Sequence, residues 1–141
     1  MLNILFNTTN MKKVLFLFIA VFAAATIFAQ TKAPVEFKEV NHSFGKIKQN
    51  EPATYAFSFK NTSSTPVIIE SATAECGCTT PEFPKGVIAK GAVNTVKVTY
   101  NAAAMGSFTK RVTVRLAKVA DPIILTIEGE VIDAKTAAQK P

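Results

Sequence analysis

From Val35 to Ile132 the sequence consists of short runs in which apolar and polar residues alternate, separated by turn-forming residues about every ten positions. In the clearest run, Tyr55 to Lys60, the aromatic side chains point one way and the other side chains point the opposite way. A period of two is typical of half-buried strands, and this region has no convincing helical repeat with caps. The sequence therefore predicts an all-β domain.

About seven short strands in one domain are typical of an immunoglobulin-like antiparallel β-sandwich, in which two sheets pack face to face. The predicted strands are Val35–Lys38, Phe44–Ile47, Tyr55–Lys60, Val67–Glu70, Val96–Tyr100, Arg111–Leu116 and Ile123–Ile127. Inward-facing aliphatic and aromatic residues form the core of such a sandwich. We expect that core to contain Phe57, Phe59, Val98, Val114 and Ile127.

The amino end has the layout of a secretory signal peptide. Lys12 and Lys13 form a positive segment, the stretch from Val14 to Phe28 is almost entirely apolar, and Ala29 follows it. This stretch is shorter than the roughly 20 apolar residues that a membrane-spanning helix requires. We therefore expect cleavage after Ala29 and export to the periplasm or the medium, with no stable membrane anchor after cleavage.

The predicted organisation has four parts. Residues 1–29 form a signal peptide helix, and Met11 fits as an alternative start because a complete signal begins there. Residues 30–34 form a short linker, residues 35–132 the sandwich and residues 133–141 a polar, disordered tail. The mature chain is long enough to bury one core without disulfide staples.

The charge pattern argues against a nucleic-acid partner. The formal net charge is +6, and Lys12 and Lys13 leave with the signal. Arg111 and Arg115 are the only arginines, and the lysines are scattered rather than clustered. Nucleic-acid binding calls for a dense basic face with arginine forks.

An ordered set of motifs runs through the predicted domain. It comprises His42-Ser43-Phe44-Gly45-Lys46-Ile47, Phe57-Ser58-Phe59-Lys60-Asn61-Thr62, Cys76-Gly77-Cys78-Thr79, Gly106-Ser107-Phe108 and Ile127-Glu128-Gly129-Glu130-Val131. Together these motifs resemble the domain of unknown function 1573 family, over about Val35 to Ile132. The resemblance implies an exported bacterial immunoglobulin-like domain. It also implies structural roles for Phe44, Gly45, Phe57, Phe59, Asn61, Gly77, Thr79, Gly106 and Gly129.

For several of these residues, physical chemistry gives a structural role independently of the family. Gly45 is expected to adopt a backbone conformation that other residues avoid, with Phe44 closing one end of the core. Asn61 is expected to form a turn in which its amide bonds nearby backbone groups. Gly129 is expected to mark a bulge or a close approach between strands.

Cys76 and Cys78 are the only cysteines, and an oxidising envelope permits them to form a disulfide. In an extended strand their Cα atoms would lie about 6.6 Å apart, so closure requires the chain to tighten at Gly77. Such a short loop adds little stability and leaves the bond easily reduced, which would suit thiol exchange with a partner. Glu75 opposes this role, because a nearby carboxylate raises a thiol pKa.

Two other interpretations of the pair stay open. Two thiolates suit Cu(I), whereas a closed zinc site requires more ligands than the two cysteines and His42 supply. The other interpretation is that Cys76 and Cys78 are small residues that shape the loop leading to Pro81. The chain's sole histidine, His42, serves catalysis only if the fold brings it to a nucleophile, and a turn or surface role is expected instead.

No phosphate-binding loop, nucleophile elbow or zinc-peptidase helix is present in the sequence. We therefore expect a non-enzymatic interaction or scaffolding module of the cell envelope, with envelope proteins as partners and no cofactor or catalytic residue. The alternative is a thiol-redox or Cu(I)-handling protein that uses Cys76 and Cys78.

Overall fold

A computed structural model of the chain describes residues 33–133 together with Lys135. The predictions for residues 1–29 and for nearly all of the tail lie outside the described residues. The described part contains eight strands: β1 (Val35–Phe37), β2 (Asn41–Lys48), β3 (Ala53–Asn61), β4 (Ile69–Ala74), β5 (Thr79–Glu82), β6 (Val93–Tyr100), β7 (Gly106–Leu116) and β8 (Ile123–Ile132). Within it, no helix is long and apolar enough to cross a bilayer.

The strands form two four-stranded sheets, which confirms the predicted all-β class. One sheet has the order β1-β3-β6-β5 and the other the order β2-β8-β7-β4. The additional strand is β5, which is only four residues long, contains Pro81 and was not among the predicted strands. A proline in a strand is tolerated at an edge, where β5 lies.

One pairing corrects the prediction of purely antiparallel sheets. β2 pairs with β8 in parallel, with His42 opposite Ile127, whereas the other strand pairs of the described residues are antiparallel. Alternation within a strand indicates which face is buried but carries no information about the direction of the neighbouring strand. The sequence pattern therefore could not predict this parallel pairing.

The core lies between the two sheets and contains the residues that the alternation predicts. Phe57, Phe59, Val98, Val114 and Ile127 are each at most 1% exposed. Burial of a side chain of this size contributes about 1.5–3 kcal/mol to the free energy of unfolding. This predicted part of the core is confirmed.

Gly129 lies where β2, β7 and β8 come closest together. It is opposite Phe108 of β7, and a Cβ atom on it would lie 2.8 Å from the backbone oxygen of Gly45 and 2.9 Å from Cζ of Phe108. Gly45 itself has φ of +64°, at a register irregularity between Ser43 and Lys46. The left-handed backbone at Gly45 and the close approach at Gly129 are the conformations that the sequence indicates.

Phe44 is partly buried and packs against the core, with its ring centroid 6.5 Å from that of Phe108. Phe108 in turn stacks on Tyr100 at 4.0 Å. These three rings connect the irregular part of β2 to the interior, beside Gly106 at the start of β7.

Asn61 ends β3 and is 1% exposed. Its side-chain Nδ2 donates to the backbone oxygens of Thr65 at 2.9 Å and Ile88 at 3.0 Å. Its Oδ1 accepts from the backbone N and the Oγ of Ser63, at 3.0 and 2.8 Å. The amide therefore holds both the turn after β3 and the distant segment around Ile88.

Candidate functional site

The connection from β4 to β5 carries the chain from one sheet to the other, and it contains Cys76 and Cys78. The two cysteines are joined by a disulfide, with their Cα atoms 5.2 Å apart. This distance is shorter than the roughly 6.6 Å of an extended strand, because the chain turns at Gly77. The backbone N of Thr79 donates to the oxygen of Cys76 at 3.3 Å and closes the turn.

The hydroxyl of Thr79 lies close to both sulfur atoms. Its Oγ1 is 3.9 Å from Sγ of Cys76 and 3.8 Å from Sγ of Cys78, and Thr79 is 4% exposed. Cys76 and Cys78 are both half-buried, Cys78 packs against the core, and Gly77 is exposed. The disulfide therefore lies at the surface, with a buried hydroxyl on its inner side.

Glu75, the residue before Cys76, forms an ion pair with Arg111 of β7. The carboxylate Oε1 of Glu75 lies 3.6 Å from Nη1 of Arg111, and the backbone N of Glu75 donates to the oxygen of Arg111 at 3.2 Å. This cation beside the carboxylate was not predicted from the sequence, because the two residues are distant in the chain. Arg111 offsets part of the negative charge that opposes a thiolate at this loop.

The loop that the disulfide closes is very short. Its cysteines are two positions apart, so the chain-entropy model assigns the bond only about 1.6 kcal/mol of stability. That value lies below the usual ~2–4 kcal/mol of a disulfide. Structural stapling is therefore a minor contribution of this bond.

His42 lies elsewhere in the sandwich. It belongs to β2, its ring stacks on Tyr55 of β3 with centroids 3.5 Å apart, and it meets Phe44 edge-on at 5.0 Å. Its Nδ1 lies 3.5 Å from Oε1 of Glu39. Among the described residues its partners do not include Cys76 or Cys78, and its ring contacts connect the two sheets.

The hydroxyl of Tyr55 faces the same carboxylate. The pKa of Tyr55 is raised above its ordinary value of 10.0 because the hydroxyl hydrogen-bonds to Glu39, because burial removes water, and because the charge of Glu39 disfavours a phenolate. This cluster was not predicted from the sequence, since alternation does not indicate which residues of two sheets will stack on each other.

A pH prediction follows for Glu39→Ala. We expect the pKa of Tyr55 to fall towards 10.0 in this variant, followed by NMR of the tyrosine ring carbons. Because the pKa of Tyr55 is higher in the folded state than in the unfolded state, its protonated hydroxyl stabilises the fold. This contribution is fully present below pH 10 and is lost as the pH rises through the folded-state pKa. Glu51→Ala, which removes an exposed partner of Lys48, is the control. An unchanged titration of Tyr55 in Glu39→Ala contradicts the assignment.

Metal binding was the other chemistry considered for the cysteines. Within the described residues, no group of three or more His, Cys, Asp or Glu side chains is placed to hold a metal ion. Sulfur ligates metals as a thiolate, so Cu(I) binding by Cys76 and Cys78 requires prior reduction of the disulfide.

A family model described as "Protein of unknown function (DUF1573)" matches residues 35–131. The chain belongs to this family. The match confirms the resemblance inferred from the motifs and spans nearly the whole described part of the chain. Among curated proteins, none matches the chain.

Solved structures confirm the fold of this DUF1573 domain. The PapD-like domain 7 of human CEP192 is 14% identical, with a TM-score of 0.62, and the match covers 75% of this chain and 92% of that one. A protein of unknown function from Porphyromonas gingivalis W83 is 15% identical, with a TM-score of 0.60, and the match covers 68% of this chain and 46% of that one. The secreted serine protease VesC from Vibrio cholerae is 11% identical, with a TM-score of 0.55, and the match covers 76% of this chain and 25% of that one.

The matched part spans less than half of the Porphyromonas gingivalis protein and a quarter of VesC. At these identities the similarity shows the fold alone, and one sandwich architecture hosts many unrelated functions. This DUF1573 chain thus has an immunoglobulin-like, PapD-like fold that is compatible with a non-catalytic interaction module.

Proposed function

We propose that this protein is an exported, non-catalytic module that binds another protein of the cell envelope by accepting an extended segment at the free edge of β4. Strand addition of this kind takes its affinity from backbone hydrogen bonds and its specificity from side-chain pockets. The observation that carries the proposal is the difference between β4 and the other three sheet edges of the described structure.

Three of the four edges have features that discourage pairing with another chain. β1 is only three residues long, and β5 contains Pro81. β2 carries Lys46 and Lys48 together with the irregularity at Gly45. Short strands, prolines, lysines and bulges are the devices that keep exposed edges from pairing.

β4 lacks most of these devices. It runs for six residues without lysine or proline, and its register irregularity is confined to the start, between Ile69 and Ser71. The backbone N of Glu75 donates to Arg111, and bonded and non-bonded pairs alternate along antiparallel strands. Ala72 and Ala74 therefore direct their N–H groups away from β7, where an added strand can accept them.

A groove lies just before the start of β4 and offers a further contact for an apolar side chain of the partner. Its volume is about 410 Å³. It is lined by Pro34, Thr65, Pro66, Val67, Ile68, Ala117, Lys118 and Val119. Ile68 is 40% exposed in this groove, so an apolar side chain of the added segment would cover it.

Export is supported by the amino-terminal pattern of Lys12, Lys13 and the apolar stretch up to Phe28. The test is the mass of the mature protein in the envelope fraction. A chain beginning at Gln30 is the expected product, and an intact chain retained in the cytoplasm contradicts export.

Binding at β4 is tested by chemical cross-linking in envelope fractions with two variants. Thr73→Lys places a charge on the exposed face of β4, and Ala72→Pro removes one outward N–H while leaving the pairing with β7 in place. Thr80→Lys on β5 is the matched control. We expect one partner to be recovered with the wild type and the control and lost with both β4 variants.

Two results contradict this proposal. Recovery of the same partner from every folded variant excludes the β4 edge as the binding site. Turnover of a substrate by the purified protein, with no partner recovered, excludes the non-catalytic module.

A further inference from the structure

We infer that the Cys76–Cys78 disulfide is a thiol–disulfide exchange site that oxidises an exposed dithiol of another exported protein. This activity goes beyond the proposed binding role and does not depend on it. Four observations lead to it: the short loop, the core contact that Cys78 makes and Cys76 does not, the hydroxyl of Thr79 and the ion pair of Glu75.

The short loop lowers the cost of reduction. Because Cys76 and Cys78 are two positions apart, opening the bond restores little freedom to the unfolded chain, and the fold does not depend on the bond. A disulfide that contributes little to the native state is reduced more readily than one that closes a long loop. The bond can therefore be lost and remade while both sheets stay intact.

The sulfur that is attacked belongs to the cysteine outside the core. Gly77 is exposed, and apart from Cys76 and Cys78 themselves no residue comes within 4 Å of a Cβ atom built on it. Cys76 and Cys78 are both half-buried, but of the two only Cys78 packs against the core. An incoming thiolate therefore attacks Sγ of Cys76, and Sγ of Cys78 becomes the leaving group.

The hydroxyl of Thr79 is placed to stabilise that leaving group. It lies 3.8 Å from Sγ of Cys78, within hydrogen-bonding range for sulfur, and it is buried away from competing water. A hydroxyl that donates to a thiolate lowers its pKa and speeds its departure. Arg111 reduces the opposing effect of Glu75 through their 3.6 Å contact.

The exchange balances in two steps. The first thiolate of the partner forms a mixed disulfide with Cys76, and the Cys76–Cys78 bond breaks to leave a thiolate on Cys78 that takes a proton from water. The second thiolate of the partner then attacks the partner's own sulfur in the mixed disulfide and releases Cys76 as a thiolate, which is protonated in turn. The partner loses two electrons and two protons, and the cysteine pair gains them.

The leaving-group role is tested with the purified mature protein, reduced by dithiothreitol and followed by acid trapping and mass spectrometry. We expect Thr79→Val to slow reduction about tenfold, because it removes a hydrogen bond to a charged sulfur. Thr79→Ser keeps a hydroxyl and should restore the rate, and Thr80→Val on the exposed neighbour is the matched control. In the reduced protein, alkylation of the cysteines reports the pKa of their thiols. We expect the pH dependence of alkylation to shift to higher pH in Thr79→Val and to stay unchanged in Thr79→Ser and Thr80→Val.

The direction of attack is tested with single-cysteine variants and a peptide thiol activated as a mixed disulfide. Cys78→Ser leaves the accessible Cys76 and should form the mixed disulfide about tenfold faster than Cys76→Ser, which leaves the sulfur that packs on the core.

Two results overturn the inference. One is a disulfide that dithiothreitol reduces only after urea unfolding. The other is equal behaviour of Thr79→Val and Thr80→Val in both assays. Because neither assay involves the β4 edge, failure here is distinguishable from failure of the binding role.

Discussion

Replacement of Asn61 by alanine is expected to lower the free energy of unfolding by about 3 kcal/mol, because it removes several hydrogen bonds from a buried site. The variant deprives the backbone oxygens of Thr65 and Ile88 of a donor and leaves the backbone N of Ser63 without its acceptor. Urea unfolding of the mature protein, monitored by circular dichroism, measures the change.

Asn101→Ala is the matched control for this variant. Asn101 is exposed, and its side chain accepts one local bond from the backbone N of Ala103 at 3.2 Å. We expect this change to cost less than about 1 kcal/mol. Equal losses for Asn61→Ala and Asn101→Ala would show that the buried amide has no special structural role.

Asn61→Asp tests the donor and acceptor roles of the amide separately. The acceptor for Ser63 is retained, but the introduced carboxylate faces the oxygens of Thr65 and Ile88 without a proton to donate. Burial beside these oxygens raises the pKa of the new group, so the folded state favours its protonated form. Stability should therefore be recovered at low pH and lost as the pH rises through that raised pKa.

Gly129→Ala is expected to lower the free energy of unfolding by about 2 kcal/mol through overpacking. The new methyl group would lie 2.8 Å from the backbone oxygen of Gly45 and 2.9 Å from Cζ of Phe108. The ring of Phe108 has little room to move, because it also stacks on Tyr100 at 4.0 Å. The same urea measurement applies.

Gly86→Ala is the control, because a Cβ atom at Gly86 meets nothing within 4 Å and its stability should change by less than about 0.5 kcal/mol. Combining Gly129→Ala with Phe108→Leu removes the ring contact but not the contact with the oxygen of Gly45. The combined loss should therefore be smaller than the sum of the single losses. A strictly additive result would place the strain elsewhere.

The sequence predicted the interior better than it predicted the edges. Alternation identified Phe57 and Phe59 as core residues, because a period of two is a direct consequence of strand geometry. It missed β5, whose four residues include Pro81 and carry no clear alternation. It also missed the parallel pairing of β2 with β8, since the sequence of a strand does not indicate whether its neighbour runs parallel or antiparallel to it.

The candidate site was predicted in its residues but not in its surroundings. Cys76 and Cys78 were singled out as the only cysteines, and the turn at Gly77 followed from the distance that a disulfide permits. Contacts between residues distant in the sequence were not predictable from one chain. Arg111 beside Glu75 is one such contact, and His42 on Tyr55 is another.

The parallel pairing of β2 with β8 has a consequence for the order in which the domain forms. The amino end emerges first in synthesis and in export, so β2 is available early, whereas the strand with which it pairs is the last of the eight. Its sheet neighbour is absent until synthesis has passed Ile132, and native pairing across so many residues closes slowly. During that interval His42, Phe44 and Ile47 have no sheet to join, so the incomplete domain exposes side chains that favour aggregation.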